Sequence, residues 1–305
     1  MEILILLRQV LTMFLLSGVG FVLVRTGKIT LEGGKTIGNI LIYLSLPCVI
    51  LNSFTVDFTR ERLIGLGLSA LAAAVLLGVS ILVSALVFRK DPVSSFASAF
   101  SNPGFFGVPV IAAVLGEDAV FYIAPFIALV NMLQWTYGVS RLTGQSARQG
   151  LSLKRIFTAP FMVAILLGLV LFFTGFRLPG VLATGVKAIA GLNTPLAMFS
   201  IGLYLSQCHF KELFLTRRLY LVSFLRLLMI PLLSLALLTL LPRSFFPLKL
   251  AVLIAAACPV GSNVAVYAQL YGKNYSYAVE TVVISTLLSI LTLPLLTAAA
   301  QLLWA

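Results

Sequence analysis

Ten apolar runs follow one another through the 305 residues, joined by short polar links. Each approaches the roughly 20 residues a helix needs to cross a hydrocarbon core about 30 Å thick. In chain order, segments 1 to 5 cover residues 3–24, 35–54, 63–88, 93–115 and 119–140. Segments 6 to 10 cover residues 159–176, 181–206, 219–241, 248–271 and 276–304. Hydrophobic residues make up 60% of the chain and charged residues 10%, against about 25% charged in a water-soluble domain. That much apolar surface has to face lipid. The alternation of a membrane barrel strand is missing, and a helix satisfies its backbone bonds internally. The expected fold class is therefore an all-α polytopic membrane protein with ten transmembrane helices. Segment 1 lacks an early basic region and a small-residue cleavage pattern, so it reads as a retained span.

The formal charge of +12 does not indicate a nucleic-acid partner, because Lys and Arg stand singly or in pairs between apolar runs. Their distribution reads as topology. The links 1–2, 3–4, 5–6, 7–8 and 9–10 hold thirteen basic residues, among them Arg25, Lys28, Arg89, Lys90, Arg217 and Arg218. The opposite side holds seven, and Arg226 lies inside segment 8. By the positive-inside rule the richer links are cytoplasmic and both termini extracytoplasmic, in an inner (cytoplasmic) or plasma membrane. Cys48, Cys208 and Cys258 are scattered without a CxxC pair, and His209 is the single histidine, in a short polar link. No disulfide framework, metal site or cofactor site follows, and the residues for a Ser/His/Asp set, an HExxH motif or a phosphate-binding GxxxxGK loop are missing.

The two halves match. A hinge or helix break is expected at Pro47 in segment 2, with its counterpart at Pro195 of segment 7, 148 residues later, and another at Pro109 in segment 4. The interruption Ser101-Asn102-Pro103-Gly104 in segment 4 has its counterpart in Cys258-Pro259-Val260-Gly261-Ser262-Asn263 of segment 9, with 156 residues between the prolines. Five segments per half is an odd number, so the second copy enters the membrane from the opposite face, as in inverted-repeat transporters. Residues 1–140 are the first repeat, 141–158 a basic cytoplasmic linker, and 159–305 the second repeat.

Proline lacks an amide hydrogen and clashes with the preceding turn, so Pro103 and Pro259 break segments 4 and 9; Gly104 and Gly261 add freedom, and Gly107 and Pro109 follow within two turns of the first break. Backbone groups freed at membrane depth must be buried in protein or face a water-filled cavity. The half-helix after each break presents free amides and partial positive charge, which suits a carboxylate. Asn102, Ser262 and Asn263 stand at the breaks. Asn131 and Gln134 on segment 5 either line the same pocket or bond between helices. The competing role for Asn102 and Asn263 is capping of the half-helices, and capping and binding can coexist. Glu280, one turn into segment 10, either couples transport to protons or snorkels to the interface. Arg226 either attracts the anion, pairs with Glu280, or snorkels.

These motifs resemble the auxin efflux carrier family, which includes bacterial organic-acid permeases and the plant PIN-type auxin carriers. The similarity runs through Ser101-Asn102-Pro103-Gly104-Phe105-Phe106-Gly107-Val108-Pro109, Val130-Asn131-Met132-Leu133-Gln134-Trp135-Thr136 and Thr194-Pro195-Leu196-Ala197-Met198-Phe199-Ser200-Ile201-Gly202. It continues in Ala257-Cys258-Pro259-Val260-Gly261-Ser262-Asn263 and in segment 10 from Ser285 to Pro294. The resemblance implies a scaffold of segments 1, 2, 6 and 7, often a homodimer interface. It also implies a mobile unit of segments 3–5 and 8–10 whose crossed, broken helices 4 and 9 bind a carboxylate such as malate, malonate or an auxin-like acid. The expected function is elevator-like secondary transport of a small organic anion, coupled to protons or sodium. Two alternatives stand beside it: a sodium- or proton-coupled cation exchanger, which would need acidic residues where amides stand, and a non-transporting membrane anion sensor.

Overall fold

A computed structural model describes residues 2–144, 157–208 and 210–304. Most of the 141–158 linker, and His209, lie outside the described residues. All ten apolar segments are helical, and no strand longer than a single bridge occurs among the described residues. Among the described residues, seven helices are long and apolar enough to cross a membrane. They are Leu4–Arg25, Leu31–Ser53, Arg60–Val87, Glu117–Thr143, Gly180–Gln207, Arg217–Leu238 and Tyr275–Trp304. The other three segments are shorter or divided. Segment 6 is Pro160–Thr174, segment 4 splits into Pro92–Ala99 and Pro103–Leu115, and segment 9 into Phe246–Ala257 and Asn263–Leu270. Both divided segments carry a proline within two residues of a glycine in mid-run, Pro103 before Gly104 and Pro259 before Gly261.

The prolines of segments 2 and 7 behave differently. Segment 2 passes Pro47 without opening, because the π-helical turn Leu41–Ser45 just before it accommodates the missing amide. Segment 7 turns at Gly191 and Leu192, and Pro195 sits in the first turn of Asn193–Gln207, where no intrahelical donor is needed. Pro109 likewise occupies the first turn of Val108–Leu115. None of these three prolines opens its helix at its own position, contrary to the expectation of a break there. Three further π-helical turns occur at Pro103–Gly107, Gln134–Gly138 and Leu225–Met229.

The helices pack in two groups. Segment 1 lies along segment 7, and segments 6 and 7 both pack on the second half of segment 2. Segment 3 packs on segments 4 and 5, while segments 8, 9 and 10 pack on one another, with segment 9 reaching segments 3 and 4. Segments 8 and 10 are 56% buried within their apolar windows and segments 1 and 2 only 28%. Segments 8 and 10 therefore lie largely inside the second group, whereas segments 1 and 2 present broad apolar faces outward. Leu15, Val22, Leu71, Val181, Leu240 and Leu302 are all exposed, the arrangement lipid requires.

Segments 1 and 7 meet backbone to backbone. A Cβ on Gly20 would lie 2.7 Å from the Cα of Phe199, and one on Gly202 would collide with the carbonyl of Ser17 and the amide of Phe21. Small residues let helices approach this closely, so dispersion contacts run along the whole interface. Gly202→Val is expected to destabilise the protein by about 1–3 kcal/mol or more. A lowered unfolding temperature of the detergent-purified variant is the readout, and an unchanged one contradicts this packing.

Candidate functional site

The two breaks meet. Segment 4 leaves its helix at Ala99 and runs extended through Phe100, while segment 9 leaves at Ala257. Where they cross, Ser101 and Val260 form an antiparallel bridge. The Asn102 amide donates to the Pro259 carbonyl at 3.0 Å, and the Gly261 amide donates to the Phe100 carbonyl at 2.9 Å. A third amide, that of Val260, donates to the Ser285 hydroxyl of segment 10 at 3.1 Å. Backbone groups released by the prolines are thus paired with one another across the breaks, as hydrocarbon depth demands. Gly261 is required by proximity, since a Cβ there would lie 2.9 Å from the Ser101 carbonyl.

Past the crossing each chain resumes helix, and the new N-termini face a common pocket. It is lined by residues 101–105, Leu46, Val130, Asn131, Gln134 and residues 261–263. Asn102 caps its half-helix, its Oδ1 accepting from the Phe105 amide at 3.3 Å. Asn263 is instead the first helical residue, and its Nδ2 donates to the Gln134 Oε1 at 2.7 Å, joining segment 9 to segment 5. Asn131 Nδ2 returns to its own helix at the Ile127 carbonyl, 2.8 Å away. The amides of Gly104, Ser262 and Asn263 make no hydrogen bond among the described residues. Among the described residues, no charged side chain lines the pocket. Its enclosed space is only ≈ 30 Å³, but it adjoins a cavity of ≈ 450 Å³ with which it shares Leu46, Phe105, Asn131 and Asn263. That cavity is bordered by Tyr43, Trp135, Thr158 and Leu270, so it opens on the face where segment 6 begins and segment 9 ends.

The nine residues expected to bind substrate therefore fall together, except that Pro259 lies at the crossing and not in the pocket wall. Pro109 lines a different cavity of ≈ 230 Å³ on the opposite side, together with Asn52, Glu117, Lys187 and Asn193. Pro47 and Pro195 lie outside the pocket. Neither Arg226 nor Glu280 lines it, and neither snorkels: they are 1% and 4% exposed. They form no ion pair with each other. Arg226 is drawn inward by main-chain carbonyls and Glu280 accepts from Ser276 at 3.5 Å. Two supporting residues escaped sequence reasoning. Ser285 holds the Val260 amide, and Asn193 of segment 7 donates to the Gly104 carbonyl at 3.1 Å. Asn193 did stand two residues before a singled-out proline, whereas nothing distinguishes Ser285 from the other hydroxyls of segment 10.

A family model described as membrane transport protein matches residues 5–152 and 147–297. The chain belongs to that family. It is the auxin efflux carrier group that the break motifs resemble. The relatives of this membrane transport protein include a protein of Rhizobium meliloti (strain 1021) named "Putative malonate transporter", 24% identical over 286 residues, covering 88% of each chain. An "Uncharacterized transporter" of Methanothermobacter thermautotrophicus is 26% identical over 302 residues, covering 94% of this chain and 95% of that one.

Ser285→Ala leaves the buried Val260 amide without an acceptor at the crossing of this membrane transport protein. A cost of about 1–3 kcal/mol is expected, read as a lower unfolding temperature. Ser285→Thr, which keeps the hydroxyl, is expected to retain most of the stability.

Proposed function

We propose that the protein is a secondary active transporter that carries a small organic anion, a carboxylate of the malonate or malate kind, by elevator-like alternating access. The observation that carries this reading is the uncharged pocket at the crossing, where unpaired helix amides and carboxamides converge. Such a lining stabilises negative charge through oriented dipoles. A cation exchanger would place acidic side chains there, and Asn102, Asn131, Gln134 and Asn263 are amides instead. The relative named for malonate supports a carboxylate substrate.

The pocket's ≈ 30 Å³ has room for about one water, which suits a single carboxylate group more than a whole molecule. The rest of the anion would lie in the adjoining ≈ 450 Å³ cavity. In this reading ten spans form two inverted repeats. Segments 1, 2, 6 and 7 are the fixed scaffold, whose exposed apolar faces suit lipid or a second copy of the chain in a homodimer. Segments 3–5 and 8–10 are the moving unit. With the basic links in the cytoplasm of an inner or plasma membrane and both termini outside, the larger cavity opens inward.

Contacts at the opposite end fit a closed outer side. Glu117, between segments 4 and 5, accepts from Asn52 of segment 2 at 3.4 Å and pairs with Lys187 of segment 7 at 3.6 Å. Both partners in that ion pair are exposed, so it is worth about 0–1 kcal/mol, weak enough to break in each cycle.

The test uses Asn102. Asn102→Asp keeps a capping oxygen while placing a negative charge beside the bound anion. Melting behaviour close to wild type is expected, with malonate uptake into proteoliposomes reduced about tenfold or more. Unchanged uptake would remove Asn102 from the site, and measurable binding without flux in the wild type would favour an anion sensor.

A further inference from the structure

Arg226 lies in the π-helical turn Leu225–Met229 of segment 8 and is almost fully buried. A guanidinium keeps its proton in proteins, and a cation at membrane depth ordinarily pairs with a carboxylate or faces water. Arg226 forms no salt bridge among the described residues. Its Nη1 donates to the carbonyls of Ser98 at 3.2 Å and Ala99 at 3.1 Å and to the Ser80 hydroxyl at 3.1 Å. Its Nη2 donates to the carbonyl of Ala256. The Ser80 hydroxyl is itself fixed by donating to the Ala99 carbonyl at 2.7 Å.

Those carbonyls have a common origin. Ser98 and Ala99 end the half-helix before the first break, and Ala256 is one residue from the end of the half-helix before the second. Each helix C-terminus carries about half a negative charge, so two such ends converge on one guanidinium. Three main-chain carbonyls and a hydroxyl, all neutral, are also the donor set that broken transporter helices offer to a coupling sodium ion. Here the position between the ends already holds a positive charge that cannot leave.

We propose that Arg226 is the resident cation of this carrier, filling the position between the two C-terminal half-helix ends that a coupling sodium ion would otherwise take, so that transport does not require sodium. The proposal rests on the transporter reading above for its consequence in uptake, but not for its consequence in stability. It assigns Arg226 a positioning role: the charge holds the two pre-break ends together and thereby the crossing, without touching the anion.

The experiment measures unfolding temperatures of the purified wild type, Arg226→Lys, Arg226→Met and Arg226→Ala in sodium chloride and in choline chloride, with millimolar guanidinium as an added probe. Malonate uptake into proteoliposomes is measured in the same two salts. The wild type is expected to melt and to transport alike in both. Arg226→Ala is expected to melt lower and to regain about 2–4 °C in sodium or guanidinium. Arg226→Lys is expected to exceed Arg226→Met, which fills similar space without charge. Three results would each overturn the proposal. One is a wild-type uptake that falls about tenfold when choline replaces sodium. Another is Arg226→Ala that recovers in neither sodium nor guanidinium. The third, which also decides the matter if Arg226→Ala cannot be purified, is Arg226→Met as stable as Arg226→Lys. Absence of uptake in every salt would count against the transporter reading alone, and the melting data would still judge Arg226.

Discussion

Two stretches of extended backbone inside a helical membrane protein have to find hydrogen-bond partners, and here they find each other. The exchange between Phe100–Asn102 and Pro259–Gly261 satisfies groups that would otherwise be orphaned in hydrocarbon. Neither break is tolerable alone, since each supplies the other's partners. The crossing therefore determines where segments 4 and 9 sit, and it locks them as one body with segment 10 through Ser285 and with segment 5 through Gln134.

That crossing sorts the dipoles of four half-helices. The two N-terminal ends face the pocket, where their amides remain available. The two C-terminal ends face away, toward Arg226. Opposite partial charges are thus separated across a few residues, with a permanent cation on one side and an anion-seeking cavity on the other. A pocket with no charged side chain of its own can attract a carboxylate because its surroundings are polarised in this way.

Much of this was legible from residue order. Proline within two residues of glycine in the middle of an apolar run predicts a break, and four amide side chains close to two such runs predict a polar pocket. Asn102, Asn131, Gln134 and Asn263 do line one cavity. What could not be read depends on main-chain atoms, which every residue carries alike. Arg226 is held by carbonyls, so no neighbouring letter announces its partner, and the common fate of a lone arginine near a helix end, reaching for the interface, is the wrong guide. Pro47 and Pro195 misled for a related reason. Whether a proline opens a helix depends on the turn before it, and the π-helical turn ahead of Pro47 leaves no trace in composition. The roles of Asn193 and Ser285 were equally silent, because each serves one backbone atom on a distant segment.

The four π-helical turns have a geometric consequence. Each houses one residue more than an α-helical turn of the same rise, so every side chain beyond it is rotated by about 100° from where an uninterrupted helix would carry it. In segments 2, 5 and 8 the two ends of one helix therefore present stripes with different bearings, and in segment 4 the turn sets the bearing of the half-helix that follows the break. Removing a single residue from such a turn would leave a more regular helix and a misaligned molecule. Regularity in these four places has been traded for aim.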